Sequence, residues 1–121
     1  MAHYLLQVSY TPETWAVMVK NPQDRAQAVE VAIKKLGGTM ERFWFSFGEY
    51  DILGVVEMPD NVAAAAFAMA VTAGGACKDV KTTPLLSMQE GMEAMKKAEP
   101  VGINPRRHAR ISRNGAIRKS S

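Results

Sequence analysis

The segment 39–58 constrains the fold most, because it carries two apolar runs separated by one short turn signal. Residues 39–47 are rich in aromatic side chains, which are typical of β-strands, and residues 50–58 form the second run. Between them, Gly48-Glu49 fits a two-residue loop with glycine at its first central position. The segment therefore predicts an antiparallel hairpin.

The predicted turn also sets the register of the hairpin and sorts its side chains between two faces of a sheet. Phe47 should pair with Tyr50, Ser46 with Asp51, and Trp44 with Leu53. One face then carries Phe43, Phe45, Phe47, Tyr50, Ile52, Gly54 and Val56, and the other carries Arg42, Trp44, Ser46, Asp51, Leu53, Val55 and Glu57.

Helices and strands alternate along the rest of the chain. The predicted elements are a strand over 3–10, a helix capped by Thr11 and interrupted at Asn21-Pro22 with Asn21 as a second cap, an alanine-rich helix over 61–73, an edge strand over 76–84, and a helix over 88–98 opened by a Ser87–Glu90 capping box. The many alanines predict that the helix 61–73 lies close to the sheet, with Gly54 as the point of approach.

The order of elements is βαββαβ followed by a C-terminal helix. It predicts an α+β, ferredoxin-like domain with a four-stranded antiparallel sheet of order 4-1-3-2 and two helices on one face. Leu5, Trp44, Leu53 and Val55 would then be exposed on the other face. An apolar patch of this kind usually marks an interface, so we expect a homodimer, or a higher homo-oligomer, with two such sheets packed face to face.

The four residues Gly48-Glu49-Tyr50-Asp51 match a Gly-any-Tyr-Asp motif. Together with the aromatic strand before it, and the run ILGVVEMPD and the alanine-rich helix after it, the motif gives a sequence that resembles the GYD domain family over residues 3–98. The resemblance implies a dimeric α+β barrel and no established activity. By analogy, related barrels hold small organic molecules between sheet and helices or inside the barrel, and others are ligand-sensing or oligomerisation modules.

Charged residues are distributed unequally along the chain. Nine basic and twelve acidic residues precede residue 100, giving −3, whereas six basic and no acidic residues follow it, giving +6. We therefore expect a domain over 1–98 and a flexible basic tail over 99–121. The tail could bind nucleic acid or another polyanion, although it lacks an aromatic residue to stack on bases, and a solvated terminus is an equal alternative.

Several classes of protein are not expected from this sequence. One cysteine and two histidines do not make an ordinary zinc site, and phosphate-loop, dinucleotide and nucleophile-elbow motifs are missing. The apolar run 62–71 is shorter than the roughly 20 residues that span a bilayer. The beginning of the sequence does not resemble a signal peptide. We expect a soluble, cytoplasmic protein without a metal or a fixed cofactor.

The candidate site residues lie on the face away from the helices or at the turn. His3, Asp51 and Glu57 are the catalytic candidates, and Ser9, Trp44, Ser46, Tyr50 and Asp51 are the ligand-binding candidates. Pairing of the first and third strands would bring His3 near Glu57, where the carboxylate could orient the imidazole as a general base, and Ser9 near Asp51.

Each candidate also has a purely structural interpretation. Asp51 could hold Ser46 or an amide of the turn, and Tyr50 could pack on Phe47. Similarly, His3 could sit at a strand end, and Trp44 could form the dimer core. The function predicted is binding of a small, mostly apolar organic molecule, with cofactor-independent turnover or, alternatively, a non-enzymatic oligomerisation or ligand-sensing role. Cys77 is expected to be a packing residue, although the neighbouring Lys78 would lower its pKa.

Overall fold

In the computed structural model, four strands and three helices occupy the first 86 residues. They are β1 (Ala2–Tyr10), α1 (Pro12–Lys20), α2 (Ala26–Lys35), β2 (Thr39–Phe45), β3 (Ile52–Met58), α3 (Asn61–Ala73) and β4 (Cys77–Leu85). The structure describes residues 1–103, 109–111 and 117–119, and it divides into one unit over Met1–Leu86 and a second over Ser87–Ser121.

The four strands form one antiparallel sheet in the order β2-β3-β1-β4. Counted from the opposite edge, this is the order 4-1-3-2. Its register pairs His3 with Glu57 and Leu5 with Val55. The expected α+β, ferredoxin-like class is confirmed.

The core lies between the sheet and the helices, and alternate residues of β1 form its centre. Tyr4, Leu6, Val8 and Tyr10 are all buried, whereas their neighbours point to the other face. Ile33 of α2, Phe67 of α3, and Val56 and Met58 of β3 complete this core. Burial of each such side chain stabilises the fold by about 1.5–3 kcal/mol, so the pattern of β1 determines which face of the sheet the helices cover.

Helix α1 begins as its sequence predicts. Thr11 Oγ1 accepts a hydrogen bond from Thr14 N at 3.1 Å, and Pro12 occupies the first turn. The rings of Tyr10 and Trp15 meet edge to face, with centroids 5.6 Å apart, and this contact of the residues flanking the cap is a hydrophobic staple.

The predicted second cap at Asn21 is wrong. The Asn21 N–H donates to Val17 O at 3.0 Å and closes α1, so the residue ends one helix instead of starting the next. Helix α2 begins four residues later than expected, with Arg25 at its cap position and no capping side chain. The break itself is confirmed, since a proline at position 22 cannot continue α1.

The two-residue turn is also wrong, although the predicted register is right. Trp44 pairs with Leu53 as predicted, but β2 ends at Phe45 and β3 begins at Ile52, which leaves a six-residue connection over 46–51. Ser46 N still donates to Asp51 O at 2.8 Å. Beyond that bond the chain leaves the hairpin, and Phe47 is 97% exposed. The physical reason is that this connection is tied to the end of β1, where the Asp51 N–H donates to Val8 O and the Ser9 hydroxyl donates to Glu49 O.

Gly54 does not mark an approach of the alanine-rich helix. It pairs with Phe43, and a Cβ added to Gly54 would lie 1.9 Å from the Phe43 ring. The aromatic side chain of the neighbouring strand, rather than α3, therefore occupies the space above this glycine.

The second unit contains α4 (Met88–Ala98), a short 3-10 helix (Glu99–Val101) and two strands, β5 (Ala109–Ile111) and β6 (Ile117–Lys119), which pair antiparallel. The capping box is confirmed by reciprocal bonds between Ser87 and Glu90. The sequence had indicated no strand in this part of the chain.

Much of the basic tail, including Arg106, Arg107, His108 and Arg113, lies outside the described residues, so its predicted binding to polyanions stays a prediction. None of the helices in the described ranges combines the length and the apolar character that crossing a membrane requires.

Candidate functional site

Asp51 anchors the connection between β2 and β3 to the segment where β1 ends and α1 begins. Its Oδ2 atom accepts hydrogen bonds from Tyr10 N at 2.9 Å and from the Trp15 indole Nε1 at 3.1 Å. Its own N–H donates to Val8 O at 2.8 Å. One carboxylate therefore holds together the end of β1, the start of α1 and the β2–β3 connection. The partners differ from those expected, because neither Ser46 nor an amide of the turn is the donor.

The neighbouring residues of this connection are also engaged. The buried Ser9 hydroxyl donates to Glu49 O at 2.8 Å. The Tyr50 hydroxyl lies 3.5 Å from an Asp79 carboxylate oxygen. Partial burial and the nearby carboxylates of Asp79 and Glu49 raise the pKa of Tyr50, so this phenol stays protonated. The Gly-Glu-Tyr-Asp segment thus has a network of structural contacts.

His3 and Glu57 form the predicted cross-strand pair at the opposite end of β1. The closest partner of the imidazole, however, is Glu41, whose Oε1 lies 2.8 Å from His3 Nε2. Glu41 occupies an irregularity between Met40 and Arg42, where the register of β2 shifts. Sequence reasoning missed Glu41 because a bulge cannot be located from alternation alone.

These three side chains could hold a metal ion. One donor atom from each of His3, Glu41 and Glu57 lies within 4.8 Å of the others, and mixed nitrogen and oxygen donors suit first-row divalent cations. The His3–Glu41 ion pair is an alternative explanation of the same proximity, because the two groups already partner each other.

The face of the sheet away from the helices, called here the open face, has an apolar centre. Leu5, Leu53 and Val55 are half-buried there, and Trp44 is 47% exposed, with the Arg42 guanidinium carbon 5.2 Å from its ring centroid. These are the side chains that the sequence placed on this face.

The predicted site residues do not come together as one pocket. His3 and Ser9 are six residues apart on one strand, a separation of roughly 20 Å at about 3.3 Å per residue. One group gathers around His3, and the other gathers around Asp51. The two groups therefore lie at opposite ends of β1 and do not share a site.

A cleft lies instead on the helical side of the sheet, between α2 and α3. It has a volume of about 290 Å³. Its floor is formed by Leu6, Val8, Phe43 and Ile52, and its walls by Ala28, Val29 and Ala32 of α2 and Phe67, Ala70 and Val71 of α3, with Tyr10, Arg25, Gly74, Ala76 and Cys77 completing the lining. Ala28 and Ala70 are exposed, so the cleft opens to solvent between the two helices.

Small side chains produce this cleft. The alanines that should have let α3 approach the sheet closely are too short to fill the space between α2 and α3. None of the site residues predicted from sequence lines it. The alanines of both helices were the one sequence feature that could have indicated a cleft. They were not decisive, because alanine is equally common where a helix packs closely on a sheet.

Three residues with polar or ionisable side chains line the otherwise apolar cleft: Arg25, Tyr10 and Cys77. Burial raises the pKa of Tyr10, and the positive charge of Arg25 opposes that shift. Burial also raises the pKa of the Cys77 thiol, again opposed by Arg25. Both groups are therefore neutral at physiological pH. The expected lowering of the Cys77 pKa by Lys78 is wrong, because burial of the thiol raises the pKa and the cation that opposes this shift is Arg25.

A family model of the GYD domain matches residues 4–95. The match includes the connection over 46–51 and every element that lines the cleft. A comparison with curated proteins found no match.

Proposed function

This chain belongs to the GYD domain family, and we propose that it binds a small, mostly apolar organic molecule in the cleft between α2 and α3. The observation that carries the proposal is the cleft itself, which combines an apolar lining, an opening to solvent and a few polar groups. Binding sites for small molecules commonly have this character.

The volume limits the size of the ligand. An apolar cavity of about 150 Å³ accommodates a benzene-sized molecule, and this cleft is about 290 Å³. By that scale it accepts a compound of about a dozen non-hydrogen atoms, such as a medium-length aliphatic chain or a substituted ring.

The groups in the cleft favour binding over turnover. The Cys77 thiol is protonated because burial raises its pKa, and nucleophilic catalysis requires the thiolate. Tyr10 is a neutral donor for the same reason. His3, the candidate base, lies on the other face of the sheet, paired with Glu41.

The open face supports a second proposal, that two copies of the chain pair through it. Its apolar centre of Leu5, Trp44, Leu53 and Val55 would be covered by the same surface of a second copy. A twofold interface uses one self-complementary patch, and an apolar sheet face packed on its own copy would supply one. The dimer would enclose His3, Glu41 and Glu57 without involving the cleft, which opens on the opposite side.

Obstruction of the cleft tests the first proposal. Ala70 lines its mouth, whereas Ala65 is exposed on the same helix and does not line it. Octan-1-ol, an apolar compound of suitable size, should bind the unmodified protein by calorimetry. Ala70→Phe should reduce that affinity at least tenfold, and the matched Ala65→Phe variant should leave it within twofold. Equal affinities for both variants would contradict the assignment of the cleft.

Light scattering tests the second proposal. The unmodified protein should be a dimer at micromolar concentration, and Val55→Glu on the open face should make it a monomer, because an unpaired charge would be buried in the interface. Val31→Glu, which replaces an exposed valine of α2, is the control and should stay dimeric. A monomeric unmodified protein would refute the proposal.

A further inference from the structure

Arg25 gives one end of the cleft a positive charge in an otherwise apolar setting. Its side chain is half-buried and lies over the Tyr10 ring, with the guanidinium carbon 5.9 Å from the ring centroid. This position holds the cation against the wall of the cleft instead of leaving it extended into solvent.

The charge of Arg25 has no ion-pair partner within the part of the chain that the structure describes. Three carboxylates, those of Asp24, Asp51 and Glu13, are the candidates for such a partner, and the first two already accept hydrogen bonds from other groups. Asp24 accepts from Ala26 N at 2.9 Å, and Asp51 accepts from Tyr10 N and Trp15 Nε1. Glu13 borders a separate surface depression that Arg25 also lines. A partly desolvated guanidinium with five donors is therefore available to an anion that enters the cleft.

Arg25 occupies the cap position of α2, and the first N–H of that helix, from Ala26, is already paired with the Asp24 carboxylate. The Arg25 guanidinium is therefore the positive group that this end of the cleft offers to an anion. The hydroxyl of Tyr10, which lines the same cleft, forms no hydrogen bond with any of the described residues and is a further donor.

We propose that the ligand of the cleft is an amphipathic organic anion, a monocarboxylate with an apolar body of about ten non-hydrogen atoms, whose carboxylate pairs with Arg25 and whose body lies between α2 and α3. This inference rests on the proposed function, since it assigns the ligand class of the same cleft. The apolar lining stabilises the body of the ligand, and Arg25 distinguishes an acid from a neutral compound of the same shape.

A matched pair of probes separates the two contributions. Octanoate and octan-1-ol have the same number of carbon atoms and differ in the charge of the head group, so calorimetry at neutral pH compares them directly. Octanoate should bind at least tenfold more tightly than octan-1-ol, because a hydrogen bond to a charged group contributes more than a neutral one. Added salt should weaken the binding of octanoate and leave that of octan-1-ol almost unchanged.

Variants of Arg25 then test the residue itself. Arg25→Gln should reduce octanoate affinity about tenfold while changing octan-1-ol affinity less than twofold. Arg25→Lys, which keeps the charge but loses the planar fork, should retain part of the preference. Circular dichroism of both variants should match the unmodified protein, since Arg25 makes no hydrogen bond through its side chain to the described residues.

The outcomes distinguish the proposed apolar binding cleft from the proposed pairing of a carboxylate with Arg25. Equal affinity for the two probes, or an equal loss for both in Arg25→Gln, would overturn the assignment of a carboxylate while leaving an apolar binding cleft intact. Failure of both probes to bind the unmodified protein would overturn the proposed function and this inference together.

Discussion

Removal of the Asp51 carboxylate tests whether the Gly-Glu-Tyr-Asp segment is structural. In Asp51→Ala, the Tyr10 N–H and the Trp15 indole N–H lose their common acceptor. Each donor left unsatisfied costs about 1–3 kcal/mol. Because Asp51 is only half-buried, water can replace part of the loss, and we expect the free energy of unfolding to fall by about 2–3 kcal/mol. A domain of this size would then melt roughly 8–12 °C lower.

A graded series makes the result specific. Asp51→Asn keeps an acceptor oxygen but loses its charge, and it should cost about 1 kcal/mol. Glu49→Ala, in the same connection, removes a side chain while keeping the carbonyl that accepts from Ser9, and it should change stability by less than about 0.5 kcal/mol. Urea denaturation followed by tryptophan fluorescence measures all three variants. If Asp51→Ala were as stable as Glu49→Ala, the anchoring role would be refuted. In Asp51→Asn, octan-1-ol binding should be retained.

Three further predictions follow from the cleft and the open face. Gly54→Ala places a Cβ against the Phe43 ring and should reduce stability by about 1–3 kcal/mol in a denaturant titration; an unchanged midpoint would show that the ring moves freely. Burial raises the pKa of Cys77 above its ordinary value of 9.0, so the thiol favours the folded state fully below pH 9.0, and that contribution is lost as pH rises through the higher folded pKa. The stability of the unmodified protein relative to Cys77→Ala should therefore decline above pH 9.0 in thermal melts, and a constant difference would contradict the shift. Glu41→Gln breaks the half-exposed His3–Glu41 pair and should change the free energy of unfolding by less than about 1 kcal/mol, whereas a larger loss would assign that cluster a structural role.

The architecture could be predicted because local signals agree with one another. Thr11-Pro12 and the Ser87–Glu90 capping box start helices where expected, and the first strand forms where the sequence predicts it. The register of Trp44 with Leu53 was also correct, because one turn fixes the alignment of both strands.

The ends of elements were less predictable, because long-range contacts determine them. Nothing local in the sequence indicates that Asp51 bonds to Tyr10 and Trp15, about forty residues away, and those bonds replace the two-residue turn. The bulge that brings Glu41 to His3 is hidden for the same reason.

The candidate site could not be predicted because a cleft is a space between residues. Ala28, Ala32 and Ala70 carry no distinct signal in the sequence, and their small size matters only once α2 and α3 are placed apart. Arg25 was missed because the start of α2 was assigned to Asn21, four residues before the observed cap.

The most direct test of the account is the location of the bound ligand. A titration of isotopically labelled protein with octanoate, followed by amide chemical shifts, compares the two faces of the sheet in one experiment. We expect the largest shifts at cleft residues such as Ala28, Ala70 and Cys77, with little change at Leu5 and Trp44. Shifts concentrated at Leu5, Trp44 and Val55 on the open face, with α2 and α3 unaffected, would contradict the central claim.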